Sequence, residues 1–147
     1  MNNFLDTIQS VFYNVLKFEN FKIVEKKENS VLFYNNKCYL FIGHHMGEVY
    51  VNLSSDKKNT IQPLMWAIIN KKIKYSDTLS LKFSPNTKMR DLLIYMLCVE
   101  KTLISLYCKD LINGDFSKQE HYVQNFEEKS KEFYRFNEEN NYLNDTI

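Results

Sequence analysis

Asn113-Gly114-Asp115-Phe116-Ser117 stops one helix and starts another within five residues, which dictates how the last third of the chain must be arranged. Asn113-Gly114 follows the apolar run ending at Leu111-Ile112 and offers a left-handed helix cap, since glycine lacks the Cβ that penalises that conformation. Ser117 then opens Ser-Lys-Gln-Glu, a capping-box pattern in which the Glu120 carboxylate reaches back to the cap amide. Two long helices should therefore pack as a hairpin. The first is entered through Ser84-Pro85-Asn86-Thr87 and carries Met89, Leu92, Leu93, Met96, Leu97, Ile104, Tyr107 and Leu111, about seven turns if unbroken. The second shows Tyr122, Val123, Phe126, Phe133 and Tyr134 on one side; past Asn137 the residues are polar, and 138–147 should fray.

Upstream the rhythm changes. Over residues 3–18 the apolar positions Phe4, Leu5, Ile8, Val11, Phe12, Val15 and Leu16 follow helical spacing, with Asn2 or Asn3 as cap. Four strand-like runs follow: Phe21 to Glu25, Ser30 to Tyr34, Cys38 to His44 and Glu48 to Ser54. In the last, Val49, Val51 and Leu53 alternate with Glu48, Tyr50 and Asn52, giving one buried and one wetter face. Asn35-Asn36 suits a two-residue turn with positive φ at both positions, and Met46-Gly47 turns the chain again. The runs lie too close together for crossover helices, so they form an antiparallel meander. After the polar loop Ser55 to Asn59, Pro63 suits the first turn of a helix with Leu64, Met65, Ile68 and Ile69 as its stripe through Lys71. Leu79, Leu81 and Phe83 alternate and suggest a short extended piece. The expected fold is a single α+β domain over 1–147. It has an N-terminal helix, a four-stranded antiparallel meander, a short helix, and a long C-terminal helical hairpin packed on the sheet.

Bulk properties remove whole classes of function. A net charge of +1 lacks the basic excess that counterion release demands, so direct nucleic-acid binding is not expected. The only arginines are Arg90 and Arg135, leaving few planar forks for phosphates or bases. No apolar run reaches the roughly 20 residues of a membrane span. Met1-Asn2-Asn3-Phe4 lacks a basic start and Asp6 interrupts the following apolar stretch, which predicts no secretory signal and a cytoplasmic protein. Cys38, Cys98 and Cys108 form no close pair and read as small buried hydrophobes in a reducing compartment.

Few reactive constellations stand out in the sequence. His44-His45 is the best metal or acid–base candidate, yet adjacent strand residues face opposite ways and His121 is distant in sequence. There is no His-Glu-x-x-His, no Cys-x-x-Cys and no glycine-rich phosphate loop. The doublets Glu127-Glu128 and Glu138-Glu139 diverge by about 100 degrees on a helix, so neither aims two acids at one point. Glu128 and Glu132 share a face, with Lys129 and Lys131 beside them. Tyr39, Phe41 and Tyr50 have no basic residues interleaved, so packing or an interface fits them better than stacking on bases. Trp66 reads as core. No cofactor, metal or catalytic residue is predicted. Charge is uneven: from Leu111 onward eight acids face four bases, net −4, while the first 110 residues hold fifteen bases and ten acids, net +5.

One resemblance gives direction. Phe18-Glu19-Asn20-Phe21-Lys22-Ile23-Val24-Glu25 resembles the helix and Gly-Phe-x-Val-x-Glu strand that open small bacterial immunity proteins of polymorphic-toxin and contact-dependent growth inhibition systems. The likeness continues over roughly residues 4–120: aromatic meander, short helix, and a long helix closing on a segment like Leu111 to Ser117. Asn20 stands where glycine is common, and the middle helix lacks the usual Trp-Tyr-Ser-Leu lead-in. The resemblance implies a monomer or weak homodimer that binds the C-terminal domain of a cognate toxin, often a nuclease, and occludes its active site. Glu120, Glu127, Glu128 and Glu132 on the acid-rich last helix are the first choice of contact surface, and Tyr39 and Tyr50 on the sheet the second. A homo-oligomeric structural or adaptor protein is the alternative, and a small enzyme using His44 or His45 a further one.

Overall fold

The computed structural model describes residues 4–81 and 89–145. The N-terminal helix comes in two segments, α1 (Phe4–Val11) and α2 (Tyr13–Phe18), and the bonds Phe12 N–H to Ile8 O (2.8 Å) and Leu16 N–H to Phe12 O (2.9 Å) carry the ladder across the joint. Phe4, Ile8, Phe12 and Val15 are buried, as the apolar spacing requires. The suggested cap at Asn2 or Asn3 lies outside the described residues. At the other end Asn20 adopts φ 60°, and Phe21 N–H and Asn20 N–H bond back to Leu16 O and Lys17 O. That is a Schellman cap with asparagine in the usual glycine position.

The sheet is an antiparallel meander in the order β1 (Lys22–Lys27), β2 (Ser30–Tyr34), β3 (Tyr39–His45), β4 (Glu48–Ser54). Met46 and Gly47 both take positive φ, 51° and 84°, the geometry of a tight hairpin turn. The Asn35-Asn36 turn differs from expectation. Tyr34 pairs with Tyr39, so the loop spans four residues and includes Cys38, and only Asn36 (φ 69°) is left-handed. Asn35 is buried instead. Its Oδ1 accepts from the backbone N–H of Lys37 and Cys38 at 3.0 and 2.8 Å; its Nδ2 donates to Glu19 O and Ile112 O at 3.1 and 3.2 Å. One side chain thus ties the β2–β3 loop to the ends of two helices. The edge strand β1 bulges between Ile23 and Glu25 and is exposed throughout.

α3 (Pro63–Asn70) starts with Pro63 directly after Gln62 and lies behind an isolated bridge between Leu53 and Ile61. It is buried on nearly every side, with Trp66 and Ala67 fully enclosed. Residues Tyr75–Leu81 form a 3-10 helix, which corrects the extended piece expected there; Phe83 and the Ser84 to Thr87 entry lie outside the described residues. Local bonds explain the turn, since Lys74 N–H reaches Asp77 Oδ2 at 3.3 Å and the Thr78 hydroxyl donates to Tyr75 O at 2.6 Å. The next helix breaks at Cys108 into α4 (Met89–Tyr107) and α5 (Lys109–Ile112).

The stop at Asn113-Gly114 is a full Schellman motif: Gly114 has φ 89°, and Gly114 N–H and Asp115 N–H bond to Leu111 O and Asp110 O. The capping box at Ser117 does not form. The Ser117 hydroxyl and amide both donate to Asp115 Oδ1, at 2.6 and 3.1 Å, while Glu120 Oε1 accepts from Gln124 at 3.3 Å. α6 (Gln119–Asp145) begins two residues later and continues to Asp145, into the stretch expected to fray. α5 and α6 flank this turn, while α4 and α6 both pack chiefly on α3; α4 and α5 also touch β4, and α1 touches β2.

Candidate functional site

Among the described residues, the helices cover one face of the sheet. Val31 and Phe33, Leu40 and Ile42, Val51 and Leu53 point into the core, so strand alternation sends their neighbours to the opposite face. There Leu32 pairs with Phe41, Tyr34 with Tyr39, and Gly43 with Tyr50. The Tyr34 and Tyr39 rings stack 4.2 Å apart at 19°, and Lys57 Nζ lies 5.2 Å from the centre of the Tyr39 ring. Phe41 lies along its own strand over Gly43, where an added Cβ would come within 3.0 Å of the ring, so the glycine makes room for it. Tyr50 is 44% exposed and donates to Glu48 Oε2 at 2.8 Å, a bond to a carboxylate that raises its pKa. Leu32, Tyr34, Tyr39 and Phe41 are half-buried, on the face opposite the one that packs into the core among the described residues. A shallow cleft of about 360 Å³ runs between Glu25, Tyr39, Phe41, Asn52 and Lys57. The chemistry is that of a contact surface: rigid aromatics, short polar side chains, and charges of both signs.

The other nominated residues are not gathered into one site. Glu127 is paired with Lys131 at 3.1 Å along its own helix. Glu132 accepts from the Tyr75 hydroxyl at 2.7 Å and from Lys129 at 3.4 Å, and these bonds hold its carboxyl below the usual range. Burial, followed by that same bond, pushes the Tyr75 phenol up to about 12. Two of the α6 acids are thus paired within the chain. Glu128 is exposed, as are Glu120 and Glu127.

The histidine doublet splits as strand geometry demands. The His44 ring packs on Phe4, centroids 4.3 Å apart at 57°, while His45 is exposed. Among the described residues no three His, Cys, Asp or Glu side chains come together to hold a metal ion. Cys38 and Cys108 are buried, Cys98 half-buried, and all three are free thiols. Burial pushes Cys38 up to about 12 and Cys108 upward as well, so both stay protonated at neutral pH. Trp66 is core, its ring tilted against Tyr122 at 5.8 Å.

Tyr34 and Leu32 belong to the open face and are missing from the sequence-based choice. The period-two alternation of Ser30 to Tyr34 contains both, and knowing which face the helices cover would have selected them. Among known protein families, characterised proteins and solved structures, none matches this chain. No described helix is long and apolar enough to cross a membrane.

Proposed function

We propose that the chain acts by binding, and that the open face of its sheet is the centre of contact with a partner protein. The carrying observation is the uncovered aromatic surface around Tyr34, Tyr39, Phe41 and Tyr50, held on strands and needing little ordering when a partner arrives. The partner is the C-terminal domain of a polymorphic or contact-dependent inhibition toxin, and this chain is its immunity protein in the bacterial cytoplasm. Three things support that reading: the order of elements; the immunity-like opening, whose Asn20 sits in the left-handed conformation that its glycine counterpart would favour; and the acidic excess on α6, suited to a basic nuclease surface. Inhibition would then be steric, the sheet face covering the toxin's active site or the groove that takes its substrate.

The reading makes two demands. A large secreted protein with a variable C-terminal domain is encoded immediately upstream, and co-expression with this chain rescues cells from that domain. Alanine at Tyr39 and Tyr50 together should abolish rescue, each central aromatic contributing about 2 kcal/mol. Rescue that survives the double change moves the contact elsewhere, and a light-scattering mass of a stable dimer assigns the face to a second copy of the chain instead.

A further inference from the structure

A second surface lies away from the open sheet face, where the end of α3 meets the first half of α6. The cleft there has a volume of about 560 Å³, within the range of small-molecule sites. Ile68, Ile69 and Ile73 supply an apolar floor. Lys72 and Lys74 line it from the segment after α3, and His121, Asn125 and Lys129 line it from α6.

The charge pattern is local and runs against its surroundings. α6 belongs to the acidic part of the chain, yet the residues it sends into this cleft recur every fourth position and include no acid. None of the residues lining the cleft is a carboxylate; the adjacent Glu132 is already held by Tyr75 and Lys129. Lys72 adds an independent observation. It closes the end of α3 at φ 55°, a left-handed position where glycine is at ease and a β-carbon is penalised. A lysine is held there against its backbone preference, and that residue is one of those lining the cleft.

We propose that this cleft binds a free amphipathic anion: a carboxylate or phosphate monoester head, met by Lys72, Lys74 and Lys129, on an apolar chain or ring that lies over the three isoleucines. Both parts are required. Charge alone in so open a site is screened, and the apolar floor alone does not select an anion. The site is separate from the sheet face, and its occupancy does not depend on the identity of any protein partner.

Titration of the full-length, isotope-labelled chain with decanoate, followed by amide chemical shifts, tests this. Decanoate and decyl phosphate should shift amides of residues 68–75 and 121–129, while decylammonium, acetate and inorganic phosphate leave them in place. Lys72→Gly separates binding from folding. It removes the cation but relieves the backbone, so affinity for decanoate should fall about fivefold while the thermal midpoint holds or rises. Lys129→Gln should weaken binding by a similar factor, and Lys58→Gln, in the exposed loop after β4, should leave it unchanged. Equal binding of decylammonium, shifts centred outside the cleft, binding of the bare anions, or an unaltered affinity in Lys72→Gly would each overturn the proposal.

Discussion

The two faces of the sheet are made of similar material and put to different use. Phe33 and Leu40 on the inner face are buried under helices; Tyr34, Tyr39, Phe41 and Tyr50 on the outer face remain half-buried or exposed. Inside, Phe, Leu, Ile and Val predominate, because no partner for a hydroxyl is wanted there. Outside, three of the four aromatics are tyrosines: the Tyr34 and Tyr39 rings stack on each other, and the Tyr50 phenol donates to Glu48. Aromatic content alone therefore does not mark a core. What marks it is which side of the pleat the described helices cover: on β2 Phe33 shares the covered face with Val31, and Tyr34 shares the open face with Leu32.

The contrast breaks if the faces cost the same to cut. Leu40→Ala, fully buried, should lower unfolding free energy by about 3 kcal/mol, the usual loss for a core leucine. Tyr39→Ala should lower it by about 1 kcal/mol or less, since its stack with Tyr34 and the Lys57 contact are solvated. Urea denaturation measures both. Equal losses would mean that the outer face is a second core, and the case for a contact surface would fail.

Asn35 extends the comparison to the end of the sheet, where the β2–β3 loop meets the helices. Asn35→Ala removes four hydrogen bonds at once and strands the last carbonyls of two helices, so a loss of about 2–3 kcal/mol is expected. Restoration of stability by Asp at this position would sink the argument, because Asp keeps the acceptor and lacks the two Nδ2 donations.

On the covered side, Glu100 of α4 has a buried Oε2 with no hydrogen-bond partner among the described residues, and desolvation raises its pKa from near 4.5 to about 7. The folded chain thus holds this proton more tightly than the unfolded one. Between about pH 4.5 and 7 it binds the greater number of protons, and stability falls as pH rises through that window. The loss should be about 2 kcal/mol, less than the full shift implies because the residue keeps some contact with water. Glu100→Gln should flatten the profile of thermal midpoint against pH; an unchanged slope would assign the proton to another group.

Legibility of the fold follows the range of the interactions involved. Ser30–Tyr34 and Glu48–Ser54 are readable to the residue because alternation and flanking turns are local signals. The stop at Gly114 is readable for the same reason. The capping box at Ser117 fails to a competitor two residues away: a full carboxylate on Asp115 takes both the amide and the hydroxyl. Residues 75–81 alternate in hydrophobicity yet turn, because Asp77 and Thr78 bond to nearby backbone before any sheet edge is reached. Asn35 is legible as a turn residue and not as a tie, since Glu19 and Ile112 are distant in sequence. The candidate surface was half legible: Tyr39 and Tyr50 fall on one face by parity, whereas Tyr34 and Leu32 wait on knowing which face the helices take.

The smallest expected effect sharpens the contrast between sheet and acidic helix. Glu120 and Glu127 are exposed, and the Glu127–Lys131 pair joins groups one turn apart, so reversing both acids to lysine should change stability by about 0.5 kcal/mol or less. Glu132 is unsuitable for this test, since its bond to Tyr75 helps fix the 3-10 helix against α6. If the sheet face is the centre of contact and α6 only steers, the double reversal should slow association with a basic partner by about tenfold at low salt and leave dissociation alone. The effect should shrink as salt is added, because exposed charges are screened over about 10 Å. Stopped-flow kinetics with the proposed toxin domain distinguishes the cases: a dissociation rate raised as far as alanine at Tyr39 raises it would put α6 at the centre, and the tyrosine face at the margin.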